Sequence, residues 1–236
     1  MNKQKILKQL EEKLILDINN KPYYEDFDHK VYGNTLEPGS MPAPYFYDWV
    51  AKETSTRLNG EPVLGIEVGS FLGYSAMGFA KKLKETSPGS KLICIDTWLG
   101  SPEHYRFLKN KKDNRLGWKN GYPTMYQKFI SNVIYNDLQD TIIPLPFPST
   151  IAFKILKPLF EEANIKADFA YIDGSHEEQE VYMDLYYYYQ LLSTGSYLCG
   201  DDWAWDSVRN DVTKFSTDNN LNLGIHPNQV HWNIKI

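Results

Sequence analysis

The sequence predicts an α/β class, with helices wound on both faces of a mainly parallel seven-stranded sheet, and three observations carry that reading. Short apolar runs alternate with helix-length segments from about residue 62 to residue 216, the pattern of repeated βαβ units. Acidic or glycine-bearing strings stand at the ends of several of those runs, around Glu67, Asp96, Asp173 and Asp201. The chain then closes on two short strand-like runs, 221–226 and 229–236, joined by a Pro-Asn turn. That hairpin adds an antiparallel edge.

Taken in order, residues 3–15 form an amphipathic helix with Ile6, Leu7, Leu10 and Leu14 on one face. A polar and aromatic stretch follows, punctuated by Gly33, Pro38, Gly39, Pro42 and Pro44. Residues 45–58 read as a helix. Strands are expected at 62–68, 91–96, 141–146, 168–173 and 195–201, and helices at about 73–86, 123–134, 149–163, 177–192 and 205–216. This divides the chain into an N-terminal helical extension, 1–60, that could cap a cleft, and one sheet domain, 61–236. Residues 97–121 show no periodicity and hold Trp98, Gly100, Pro102, Gly117, Trp118 and Gly121. A loop of that length after a strand suits a lid. Its Lys109, Lys111, Lys112, Arg115 and Lys119 either meet an anionic substrate or form a solvated face.

At 236 residues the chain can bury a core as one domain. A net charge of −5 argues against a general nucleic-acid binder, which needs a basic face. No apolar run reaches the roughly 18 residues of a membrane span, and the first residues lack the apolar stretch of a signal peptide. Cys94 and Cys199 fall in the second and fifth expected strands. With two strands between them at about 4.8 Å each, they are too far apart for a disulfide. A reduced, cytoplasmic protein is expected. The aromatic content of 14 % suits an aromatic-lined cleft or an ordinary core equally.

The most informative residues are three carboxylates. Asp173 stands in Tyr-Ile-Asp-Gly-Ser-His (171–176), and Asp201-Asp202 in Cys-Gly-Asp-Asp-Trp (199–203). One helix length separates the strings, so both open on the same sheet edge. Converging acids repel one another unless a cation lies between them, and oxygen donors suit a hard divalent ion. Helix capping by Asp201 and Asp202 is the alternative.

The first strand runs into Glu67-Val68-Gly69-Ser70-Phe71-Leu72-Gly73-Tyr74-Ser75. Gly69 permits a tight turn, and Gly73 lets the next helix start close to the sheet. The spacing is not that of a dinucleotide loop, and Glu67 would repel a phosphate. An ammonium-bearing ligand fits better. Asp96 ends the second strand, where an acid accepts both ribose hydroxyls of a nucleoside. Together they suggest an amino-acid-bearing nucleoside, S-adenosylmethionine.

Residues 67–76 resemble the first motif of class I S-adenosylmethionine-dependent methyltransferases, Rossmann-like proteins, and are especially similar to that of catechol O-methyltransferase. The Asp-Gly-x-His string and the downstream acidic pair look more like the metal-dependent sugar O-methyltransferases of macrolide biosynthesis and the cephalosporin-hydroxylase-like group. The resemblance spans about residues 39–205. It implies that Glu67 and Asp96 bind the ribose and neighbouring donor groups over a loop of Gly69 and Gly73, with Ser70, Ser75 and Trp98 in the donor site. It places Ser40 and Met41 near the methionine end and Ser149 near the adenine, though the Pro-Phe-Pro-Ser context departs from the usual pattern. Asp173, which also borders the donor, and Asp201 and Asp202 match metal ligands for Mg²⁺ or Mn²⁺. The catechol enzyme has asparagine at the last position.

Ser175 and Glu178 read as a capping box that starts a helix near His176. Catechol-type enzymes carry a lysine base at this offset from the first aspartate, and the sugar enzymes carry histidine. His176 is therefore expected to be the general base. Trp203 and Trp205 could wall a sugar ring or pack in the core. The mid-helix run Tyr186–Tyr189 reads as packing plus an exposed stripe. The resulting expectation is an enzyme moving methyl to a hydroxyl of a vicinal-diol acceptor, a small molecule or glycan, with S-adenosylhomocysteine as product. A catechol-type enzyme acting on a small phenol, or a donor-binding scaffold without activity, are the alternatives. A homo-oligomer is possible.

Overall fold

The computed structural model describes residues 2–18, 21–36, 45–102, 104 and 116–236. Its sheet has the strand order β3-β2-β1-β4-β5-β7-β6. The strands are β1 (Leu64–Val68), β2 (Lys91–Ile95), β3 (Ile142–Leu145), β4 (Ala167–Ile172), β5 (Leu192–Gly200), β6 (Leu223–Ile225) and β7 (Trp232–Lys235). β1 to β5 pair in parallel, and β7 runs antiparallel to both β5 and β6. The expected doubly wound sheet with a C-terminal antiparallel hairpin is present.

The helices are α1 (Lys3–Ile18), α2 (Tyr45–Arg57), α3 (Tyr74–Thr86), α4 (Met125–Tyr135), α5 (Ser149–Ala163), α6 (Glu180–Tyr189) and α7 (Asp206–Asp218), with a 3₁₀ turn at His29–Val31. They divide between the two faces because strand side chains alternate. Leu64, Ile66 and Val68 of β1 meet α1 and α5 to α7 through Leu10, Phe153, Leu185 and Val212. Leu92 and Cys94 of β2 and Phe169 and Tyr171 of β4 meet α2 to α4 through Tyr47, Phe79 and Phe129. Cys94 and Cys199 are buried, free thiols on β2 and β5.

The N-terminal segment is more integrated than an extension. α2 is one layer of the core, since Phe46, Tyr47 and Val50 are buried against the sheet. α1 is braced near the strands' N-terminal ends: Lys3 Nζ lies 2.7 Å from Asp168 Oδ2, and Glu11 pairs with Lys91 at 2.5 Å. Asp168 also accepts the Leu64 amide at 2.8 Å and pairs with Arg57. That buried network stands at the edge opposite the functional strings. Among the described residues no helix is long and apolar enough to cross a membrane.

Candidate active site

In this order the sheet reverses direction of growth between β1 and β4, and such a switch point opens a crevice at the strands' C-terminal ends. Gly69 shows how tightly the two loops meet there. Its φ is +89°, and a Cβ would lie 1.9 Å from the Asp173 carbonyl oxygen. Only glycine lets the loop after β1 touch the loop after β4. Beside this contact lies a cleft of about 870 Å³, whose walls include Gly69, Asp96, Ser149, Asp173 and His176.

The β2 side of the cleft is built around Asp96. Asp96 Oδ2 accepts the Phe71 amide and Oδ1 the Trp98 amide, each at 2.7 Å. Burial raises its pKa, and those amides oppose the rise. Each oxygen keeps a lone pair, so Asp96 can still accept a hydroxyl from the cleft. Phe71 and His104 stack at 5.0 Å on the same wall. Trp98, expected at the donor, is instead 2 % exposed. Its indole donates to the Phe71 carbonyl at 2.7 Å and packs on Tyr126 and Phe129. It supports the loop that Asp96 holds and does not line the cleft.

Glu67 also departs from expectation. It is fully buried and receives the Ser70 hydroxyl at 2.6 Å. Burial pushes its pKa up to about 7, with Ser70, Ser75 and Cys94 partly opposing that shift. The pleat explains its position: Val68 points toward α5 to α7, so Glu67 points into the opposite layer, level with Cys94. Ser70 and Ser75 are buried around it. Gly73, at φ +92°, starts α3 where a Cβ would strike Met77, and serves packing. Ser40 and Met41, with most of the basic loop, lie outside the described residues.

Ser149 begins α5 at the cleft, and its carbonyl accepts the Tyr188 hydroxyl at 2.8 Å. Across from it stand Met183 and Asp184, which the sequence reading did not single out. Asp184 is buried, and burial raises its pKa to about 6. A signal was available: Asp184 shares the buried face of α6 with Val181, Leu185 and Tyr188. An acid at an apolar helical position needs a reason.

At the β4–β5 end, Asp173, His176 and Asp202 each offer an atom within 4.8 Å of the others. Asp202 Oδ2 lies 2.6 Å from His176 Nε2. Asp173 is held well above the usual carboxylate range, first by burial and then by Asp201, Asp202, Glu67 and Asp96. Asp201 is turned differently. Its Oδ1 accepts the Asp202 amide at 2.8 Å and lies 3.7 Å from His231 Nε2. The expected trio of aspartates is thus assembled as two aspartates and a histidine, with Asp201 adjacent. The oxygens of Asp173 and Asp202 fit a hard divalent cation such as Mg²⁺ or Mn²⁺, with the His176 imidazole beside them.

The local fold around His176 also differs from expectation. α6 begins at Glu180, not near His176, because Gln179 takes a left-handed φ of +73°. Ser175 Oγ accepts the Glu177 amide at 3.2 Å, a local turn in place of a capping box. His176 therefore sits on a loop, where its carbonyl accepts the Ser207 hydroxyl at 2.6 Å. Trp205 lies over it at 4.8 Å and is 46 % exposed, whereas Trp203 packs against the core.

A mainly parallel sheet of order β3-β2-β1-β4-β5-β7-β6 with β7 reversed is the Rossmann-like fold of the class I methyltransferases that use S-adenosylmethionine. Residues 66–203, more than half of the chain, match the family model described as a methyltransferase domain, and the chain belongs to that family. Among curated protein sequences none matches significantly. Similar solved structures include an O-methyltransferase from Bacillus cereus in complex with S-adenosylhomocysteine, 13 % identical, TM-score 0.54, covering 95 % of this chain and 96 % of that one. The calicheamicin methyltransferase CalS11 is 16 % identical, TM-score 0.59, covering 97 % and 91 %. The O-methyltransferase NovP is 13 % identical, TM-score 0.57, covering 97 % of each.

Proposed function

We propose that this enzyme transfers a methyl group from S-adenosylmethionine to a hydroxyl of a vicinal-diol acceptor, a sugar of a glycan or glycosylated metabolite, with help from a divalent cation. The observation that carries the reading is the meeting of Asp173, His176 and Asp202 at the edge of the cleft that Asp96 lines. Asp173 and Asp202 would hold Mg²⁺ or Mn²⁺, with Asp201 at their side. Bound there, the ion supplies a Lewis acid that eases ionisation of an acceptor hydroxyl.

The remaining work falls to the chain. Asp96 accepts the donor's ribose hydroxyls, and Ser149 and Asp184 border its base. His176, as a neutral imidazole, removes the proton from the attacking oxygen. Fixing both reactants on one sheet edge replaces a bimolecular encounter by an oriented one. Trp205 offers an acceptor an exposed aromatic face beside His176, which suits the apolar CH face of a pyranose. One neighbour of the fold, CalS11, is described as a TDP-rhamnose 3'-O-methyltransferase.

The test is isotope-labelled methyl transfer into a panel of glycans, nucleotide sugars and catechols, alongside calorimetric binding of the donor. The reading expects donor binding and label in sugars. Label entering only phenols would overturn the acceptor class, and donor binding with no transfer to any hydroxyl compound would favour the scaffold alternative.

A further inference from the structure

We infer that His231, on the turn between β6 and β7, is a positioning residue that acts through Asp201 to set Asp202 against His176. The inference rests on reading Asp173, His176 and Asp202 as the catalytic set. His231 is 3 % exposed, stacked on Phe46 at 4.3 Å and edge-on to Tyr47.

Its tautomer follows from one neighbour. Asn228 Oδ1 accepts the Val230 amide at 3.1 Å and the His231 amide at 3.2 Å. The oxygen of that side chain is therefore committed to backbone, and its NH₂ group faces the ring, 2.7 Å from Nδ1. An amide NH₂ only donates, so Nδ1 accepts and the proton of the neutral ring sits on Nε2. Nε2 is buried and makes no hydrogen bond; Asp201 Oδ1 stands 3.7 Å away, within electrostatic reach but beyond hydrogen-bond distance. A buried N–H facing a carboxylate is held there by the cost of turning it elsewhere.

That same Oδ1 takes the Asp202 amide at 2.8 Å, and Asp202 adopts φ +58°. An aspartate in the left-handed region needs local support, and the Asp201 side chain supplies it. The turn so formed carries Asp202 Oδ2 to His176 Nε2. The hairpin grips the same tip twice more: Trp232 Nε1 donates to the Asp201 carbonyl at 2.9 Å, and the Trp203 amide donates to the Val230 carbonyl at 2.9 Å. The antiparallel edge is thus part of the site's scaffold.

Two variants separate donor from packing. His231→Phe keeps the ring and loses the N–H; His231→Gln keeps a donor near the Nε2 position. With Mn²⁺ as probe, followed by electron paramagnetic resonance, His231→Phe should bind about tenfold more weakly, the range for lost outer partners of a metal site. His231→Gln should stay within about threefold of the parent. Equal Mn²⁺ binding by His231→Phe, or equal weakening in both variants, would overturn the inference. A metal-free readout keeps it distinct from the proposed function: ¹⁵N spectra of the histidine side chains should show His231 protonated on Nε2, and His231→Phe should shift the His176 signals. If the parent bound no Mn²⁺, the metal reading would fail while these spectra still decided the role of His231. The opposite tautomer, or unmoved His176 signals, would refute it. Should His231→Phe fail to fold, Asn228→Ala, which removes the tautomer lock from an exposed turn, is expected to move the His176 signals the same way.

Discussion

Glu67 and Asp173 both stand at the C-terminal ends of neighbouring strands, yet the fold treats them differently. Glu67 points into the closed layer against α2 and α3, where a hydroxyl and burial hold it, with its pKa near 7. Asp173 opens on the cleft beside Asp202 and His176, where neighbouring acids add to the rise that burial gives its pKa. A strand-end acid is therefore not a site by itself. The pleat decides whether it meets a ligand or the core, and a second strand decides whether it has company.

That contrast orders the expected effects of substitution. Asp173→Ala or Asp202→Ala should lower methyl transfer by about a thousandfold, the several kcal/mol of a lost Lewis-acid site, while donor binding measured by calorimetry survives. His176→Ala should lower kcat by about a hundredfold or more, the usual contribution of a general base, with little change in donor affinity. Asp96→Asn should weaken donor binding by about tenfold or more, the worth of a hydrogen bond to a charged group, and leave the acceptor KM nearly unchanged. Trp205→Ala should raise the acceptor KM by a few-fold alone, about 1 kcal/mol of ring contact.

Glu67→Gln sharpens the comparison through stability. Its folded pKa, about 7, lies above the ordinary glutamate value of 4.5. The folded state therefore binds the extra proton between those values, and stability falls as pH rises from about 4.5 to about 7. The full loss is on the order of 3 kcal/mol. Urea unfolding of Glu67→Gln at pH 5 and pH 8 should lack much of the parent's decline. An equal decline would place the responsible group elsewhere.

The sheet was legible because its strands are bounded by sharp changes of pattern; every expected strand and helix is present within a few residues. Tyr188 buried and Tyr186 exposed fit the reading of that run as packing plus a stripe. What was not legible depended on direction in space. Trp98 in a loop gives no sign that its indole turns inward to Phe71. The Ser175–Glu178 spacing matches a capping box, but Gln179 delays the helix, so His176 reached the site from a loop. Asp201 and Asp202 are adjacent in sequence, and only the left-handed turn at Asp202 sets their side chains in different surroundings. His231 lies far from both in the chain and carries no motif at all.

The most direct test of the central claim is single-turnover transfer of labelled methyl to a sugar diol by metal-stripped enzyme, before and after adding Mg²⁺. The account predicts negligible transfer after EDTA treatment, recovery on adding Mg²⁺, and no recovery in Asp202→Ala. Equal transfer with and without EDTA would contradict it.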